Sequence, residues 1–293
     1  MIGAACAAAN LAKRADDGHD RAGPPFSAEP VYVPGNDVGD YQFTPSFDTI
    51  GFAAGPAWGD VTPFGIKLAK HRTRPPLQLR SLPYAADFNY TKAIGRVDST
   101  LRTAEQSEIA QFWYELSPSG WNRIANVVID LKDVEPWDAA RILTLVNFAL
   151  ADGYIAGFDA KYQYAFWRPI TAIRAAGSDG NPFTHPDPDW SSLCESPPVP
   201  DHPSTHTILG AAAAEVAISY FGDRTAFATT SASLPGVTRR YKSFTHAAVE
   251  NGLSRIYCGI HFVNAVTEGY RAGESIGREI AKLLPPVKPG KRN

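Results

Sequence analysis

Apolar positions along the chain follow two regimes. From Gly18 to about Asp98 they keep no sustained period, and proline or glycine interrupts each run, as in GPPF, VPGND, FTPSF, GPAWGD, VTPFG and RPPLQLRSLPY. The stretch is too rich in Phe, Tyr and Trp to be disordered and predicts an irregular strap packed over a core. Ahead of it, Ala4–Arg14 reads as a helix that ends in the polar run Ala15–Gly18.

Beyond residue 98 the pattern turns helical. Thr103 and Gln106 have the spacing of a capping box before EIAQFWYEL, in which Ile109, Phe112, Trp113 and Leu116 share a face. Trp121–Leu131 predicts a second helix. Pro136 suits the first turn of a third, which runs on through ARILTLVNFALADGYIAGFDAKY, apolar nearly all round and so expected at the centre. A proline-rich loop over Gly177–Pro203 precedes helices at about Ser204–Phe221, Arg240–Cys258 and Asn264–Leu284. No alternating strand pattern of useful length appears. The expectation is an all-α helical bundle forming one domain over 1–293, with a helix and strap over 1–98 and a helical core over 99–285.

Composition narrows the function classes. The chain has 293 residues, 44% hydrophobic and 20% charged, as globular proteins do. A net charge of −2 gives no sign of a nucleic-acid surface. No uninterrupted apolar run approaches the ~20 residues of a membrane span; the longest, around Ala211–Ala214, is cut by Glu215. Met1–Ala12 resembles a signal peptide without a basic n-region, which suggests a chain that begins partway through a longer protein. Cys6, Cys194 and Cys258 form no zinc pattern; a Cys194–Cys258 disulfide and free buried thiols are both open.

Candidate chemistry lies in three clusters. In KYQYAFWRP, Lys161 and Arg168 are seven apart, about two helical turns, which would project both from one face of a helix end, with Pro169 excluding helical geometry at Arg168. Their aromatic neighbours argue against two solvated surface cations. In PPVPDHPSTH, Ser204 can cap a helix whose N-terminus presents free amides, with His206 in its first turn. In SRIYCGIH, Arg255 and His261 are six apart and would diverge on one helix, but a stop at Cys258 and a turn at Gly259 let both converge. Each cluster alone has a structural reading: surface charge, capping, or a histidine packed at a turn. Together, three cations would repel unless a multiply charged oxyanion lies among them.

The ordered set KYQYAFWRP, PSTH and SRIYCGIH resembles the vanadium-dependent haloperoxidases and the acid phosphatases of the type 2 phosphatidic acid phosphatase superfamily. The flanking phrases RTAEQSEIAQFW, WRPITAIR and SDGNPFTHPDPDW resemble its soluble bacterial haloperoxidase-like branch. The resemblance implies vanadate as cofactor, with phosphate able to occupy the same site. Lys161, Arg168 and Arg255 would neutralise its equatorial oxygens, and Ser204 and the Thr205 backbone N–H would donate to it. His261 would bond vanadium and His206 would act as acid and base. Hydrogen peroxide would displace oxygen ligands to give a peroxovanadate, polarised further by Lys161, and halide would attack it, with a small organic acceptor conceivable downstream. Because five-coordinate vanadate has the shape of a phosphoryl-transfer transition state, the same residues suit a phosphatase in which His261 attacks phosphorus. An inactive oxyanion-binding homologue is the third reading. Secretion or a periplasmic location is implied by resemblance alone.

Departures from the family pattern bear on this. Thr205 replaces a frequent glycine and would narrow the approach. Ala265 stands four residues after His261, where many members carry an orienting aspartate, so Glu268 or a backbone carbonyl would have to substitute. Val199 stands where an aromatic or histidine tunes halide preference, with His202 nearby. Two rival motifs fail on context. GESIG at Gly273–Gly277 lies within a helical pattern rather than on a strand–helix elbow. His202 and His206 have zinc-pair spacing but are split by Pro203 and lack the zincin glutamate.

Overall fold

The structure, a computed structural model, describes residues 2–22 and 31–286. Its helices are α1 (Ile2–Lys13), α2 (His19–Ala22), α3 (Leu82–Gly95), α4 (Ala104–Phe112), α5 (Ser117–Leu131), α6 (Pro136–Tyr164), α7 (Pro169–Arg174), α8 (Thr205–Phe221), α9 (Phe244–Tyr257) and α10 (Val263–Ile280). The all-α class holds, with one addition: β1 (Phe227–Thr230) and β2 (Thr238–Tyr241) pair antiparallel, Phe227 opposite Tyr241. Four-residue strands are too short for an alternating pattern to register in sequence.

The capping box forms in both directions, since the Thr103 hydroxyl accepts from the Gln106 N–H and the Gln106 side chain from the Thr103 N–H. The strap differs from its prediction at one end. Leu82–Gly95 is a helix, capped by the Ser81 hydroxyl, with Pro83 in the first turn where its missing N–H costs nothing. Tyr84, Phe88, Thr91 and Ile94 give it a buried face. Residues 31–81 carry only two 3₁₀ turns and are tied down by polar anchors. The buried carboxylate of Asp152 on α6 accepts from the N–H groups of Phe64, Gly65 and Ile66.

α8 sits centrally, packed by α6, α9 and α10. It is apolar all round, as a helix enclosed by others must be. GESIG finds its use here. Gly269, Gly273 and Gly277 form one stripe on α10, where any side chain would strike the carbonyl oxygens of Ser204, Ile208 and Ala212 on or beside α8. The glycines therefore set a close helix approach, and Ser275 is exposed. α6 has the length and mean hydropathy (1.2) of a membrane candidate, which no uninterrupted run suggested, but half of that window is buried within the protein. The fold thereby aims three points at one place: the end of α6, the start of α8 and the turn between α9 and α10.

Candidate functional site

Lys161 lies in the last turn of α6, but Arg168 does not share its helix. The helix ends at Tyr164, and Ala165 takes a left-handed conformation (φ 43°) that reverses the chain. The strap holds this turn: the Tyr41 N–H bonds the Ala165 carbonyl at 2.6 Å and the Trp167 N–H bonds the Gly39 carbonyl at 2.8 Å. Arg168 is then extended (φ −77°, ψ 156°), as Pro169 requires, and caps α7. Lys161 and Arg168 meet through a chain reversal rather than through helical spacing.

The second and third clusters fold as their sequences suggest. Ser204 caps α8, with the Thr207 N–H at 3.4 Å and the Thr207 hydroxyl donating to it at 2.8 Å, which leaves its own O–H free to donate. Thr205 opens α8, so its N–H has no acceptor within the helix. Its side chain packs on Gly157 of α6. α9 ends at Tyr257, and Gly259 (φ 75°) turns the chain before His261. Glycine is required there twice over, for that φ and because its Cα side presses on Gly95 of α3. A Cys194–Cys258 disulfide, with Cα atoms 5.0 Å apart, ties the proline-rich loop to this turn.

Lys161, Arg168, Ser204, Arg255 and His261 are all at most 4% exposed. The cations are held by carbonyls. Lys161 Nζ donates to Pro200 O (2.5 Å) and Asp201 O (3.0 Å). Arg168 donates to Val199 O (2.7 Å) and Ile260 O (2.6 Å), and Arg255 to Trp113 O (3.3 Å). Among the described residues, none of the three forms an ion pair with a carboxylate. Burial and the neighbouring Arg168 push the Lys161 ammonium well below its ordinary range, against the pull of Asp201. Burial, opposed by Tyr114 and reinforced by Arg168, brings Arg255 down to about 10.

Both histidines face this charge. Arg168 Nη1 lies 3.1 Å from His261 Nε2, and burial together with Arg168, Lys161 and Arg255 holds the ring well below its usual pKa. His206 Nδ1 is 2.7 Å from the Ser117 hydroxyl, a partner that sequence spacing gave no means of finding. Burial and Arg255 keep this imidazole neutral as well. Among the described residues its Nε2 and the Nε of Arg255 are buried without a hydrogen-bond partner.

His261 Nδ1 is met by Asp201, whose Oδ1 lies 2.9 Å away. The expected substitute, Glu268, is used elsewhere: it accepts from the Arg74 N–H (3.3 Å) and from Arg271 (2.6 Å). His202 is also turned aside, its Nε2 bonding the Arg74 carbonyl at 2.7 Å and its ring against Tyr164. Val199 packs with Ala54 and Phe158, and its carbonyl serves Arg168.

The family described as the VCPO second helical-bundle domain matches residues 141–286. Vanadium chloroperoxidase of Curvularia inaequalis is 32% identical over 102 residues, 31% of this chain and 16% of that protein, so the match spans a small part of that sequence. The crystal structure of the first bacterial vanadium-dependent iodoperoxidase superposes with a TM-score of 0.74 at 27% identity, covering 85% of this chain and 62% of that one. Holo-type bacterial vanadium-dependent chloroperoxidase superposes with a TM-score of 0.75 at 17% identity over 96% of this chain and 71% of that one, a likeness of fold.

Proposed function

We propose that this chain is a member of the vanadium haloperoxidase family, that its buried cation cluster binds vanadate and that the protein oxidises halide with hydrogen peroxide, a reading supported by the family match over residues 141–286 and by the likeness to the bacterial iodoperoxidase. The observation that carries this reading is a cluster of three buried cations held by carbonyls, with two neutral histidines beside them. Such a cluster is costly by itself and is relieved by a multiply charged anion. The donor set suits vanadate: two guanidiniums, an ammonium, a serine O–H, a first-turn amide and an imidazole nitrogen that already accepts from Arg168 and so carries a lone pair.

In this reading Lys161, Arg168 and Arg255 neutralise the oxyanion, Ser204 and the Thr205 amide orient it, and His261 binds vanadium through Nε2. Bound vanadate supplies Lewis acidity that activates peroxide toward halide without a change of oxidation state. His206, neutral because of its burial and Arg255, is able to take a proton from peroxide at Nε2 while Ser117 holds Nδ1. Lys161 adds a positive charge beside the bound oxygens. The disulfide supports a location outside the reducing cytosol.

Bromination of a dye by peroxide and bromide, with and without added orthovanadate, tests the proposal. Vanadate-dependent halogenation is expected. Release of nitrophenol from its phosphate ester without peroxide, and no halogenation, would replace it with a phosphomonoesterase. Neither activity would leave an oxyanion-binding protein.

A further inference from the structure

We propose that Asp201 is the positioning residue for His261, taking the part of the carboxylate that Ala265 lacks. This inference rests on the reading of His261 as the vanadium ligand. A neutral imidazole carries one N–H, and whichever nitrogen donates leaves the other with the lone pair that a metal needs. Here a carboxylate oxygen stands 2.9 Å from Nδ1, and Arg168 Nη1 approaches both ring nitrogens, Nε2 more closely at 3.1 Å and Nδ1 at 3.5 Å. The carboxylate and the shorter arginine contact select the same tautomer, with the proton on Nδ1 and the lone pair aimed among the cations.

The backbone of Asp201 is held on both sides. The residue is 1% exposed, its N–H bonds Phe166 O at 2.9 Å, and its own carbonyl accepts from Lys161 at 3.0 Å. Ala265 is buried beside it, both lining one small cavity with Tyr84, Phe166 and Phe262, and the Ala265 carbonyl accepts from the Ser204 N–H at 2.9 Å. Position 265 therefore borders the same space as the aspartate, yet the acid reaches the ring from the loop before α8. The two nearby acids are engaged elsewhere: Glu268 is spent on Arg74 and Arg271, and Asp87 on the N–H groups of Val263 and Asn264 at the start of α10. One five-residue segment thus carries Lys161's two carbonyl acceptors, the orienting carboxylate and Ser204. His261's orientation depends on the loop that itself contacts the anion, rather than on the helix that follows the histidine.

The test compares Asp201→Asn, which keeps an acceptor oxygen, with Asp201→Ala, which does not; both remove the charge, so its effect on anion affinity cancels between them. Nitrogen-15 NMR of the imidazoles, with His261 assigned through His261→Gln, reads the tautomer without any vanadate present, and calorimetry reads orthovanadate affinity. The Nδ1–H form is expected to persist in native protein and in Asp201→Asn, and to be lost in Asp201→Ala. Vanadate affinity should be about 10–100-fold weaker in Asp201→Ala than in Asp201→Asn, as for other partners of metal-binding histidines. Asp201→Ala combined with Ala265→Asp should recover the tautomer. If Asp201→Ala does not fold, Asp201→Leu replaces it with similar bulk and no acceptor. Equal affinities and an unchanged His261 tautomer in the folded alanine or leucine variant would overturn the inference. Native protein that takes up no vanadate would overturn the function reading, while the ring spectrum would still decide the role of Asp201.

Discussion

Arg239 on β2 donates to Glu105, Glu108 and Glu250 at 2.6, 2.5 and 2.8 Å, and Glu250 also accepts from Trp113 Nε1 and the Tyr241 hydroxyl. Burial opposes its charge, but Glu250 and Glu105 hold the Arg239 guanidinium above its usual pKa. Arg168 and Arg255, more deeply buried, meet carbonyls instead, and both are shifted down, first by burial. Trp113 stands between the two regions, its ring nitrogen on Glu250 and its carbonyl on Arg255. The difference teaches how to tell a structural arginine from a binding one. A cation that has internal counter-charges in contact stabilises the fold as it stands, whereas three cations hydrogen-bonded to carbonyls, with the single carboxylate of Asp201 near Lys161 and Arg168, leave positive charge for an anion from outside.

The comparison breaks most visibly at turnover. His206→Ala should lower the halogenation rate by about 10²–10⁴-fold, the usual range for a lost acid–base group, while anion binding survives. Loss of binding with the fold intact would show that the roles of the two histidines are wrongly divided. On the other side, Arg239→Ala should cost about 3–5 kcal/mol in denaturant unfolding because it leaves Glu250 buried and unpaired. Vanadate affinity should not change in that variant.

Removing the Cys194–Cys258 bond by double serine substitution should cost about 4 kcal/mol for a loop of 64 residues, if unfolded-chain entropy dominates. Because the bond joins the Ser204 loop to the His261 turn, anion affinity should fall with it, which calorimetry on the folded variant would check. His202 gives a smaller, pH-dependent effect. Burial, only partly offset by its bond to Arg74, lowers its pKa from 6.5 to about 4. The unfolded state therefore binds the proton first, so the stability from a neutral His202 is full above pH 6.5 and is lost as pH falls through 4. The loss approaches about 3 kcal/mol at 1.36 kcal/mol per pH unit. Melting temperatures across pH 7 to 4 should fall less steeply for His202→Gln than for the native chain; parallel curves would contradict this.

Local chemistry explains which parts were legible in sequence. Thr103 with Gln106, Pro136, Pro169 and Gly259 act through their own backbones, and each does in the structure what its residue type dictates. The Ser81-Leu-Pro signal for α3 was present too, but Pro83 reads as a breaker until the cap beside it is seen. The convergence of Lys161, Arg168, Ser204, Arg255 and His261 followed from resemblance, since no spacing rule brings residues 161 and 261 together. Asp201 and Ser117 stayed hidden because their partners lie 60 and 89 residues away across the fold. An acid in a proline-rich loop has no periodicity to give it a direction.

Calorimetric titration of orthovanadate into the native protein, Arg255→Ala and Arg239→Ala tests the central claim most directly. One vanadate per native chain is expected, with affinity at least about tenfold weaker in Arg255→Ala, as befits a lost charge-assisted bond, and unchanged in Arg239→Ala. A native chain that binds no vanadate, or an Arg255→Ala protein that binds it as tightly as the native one, would contradict the account.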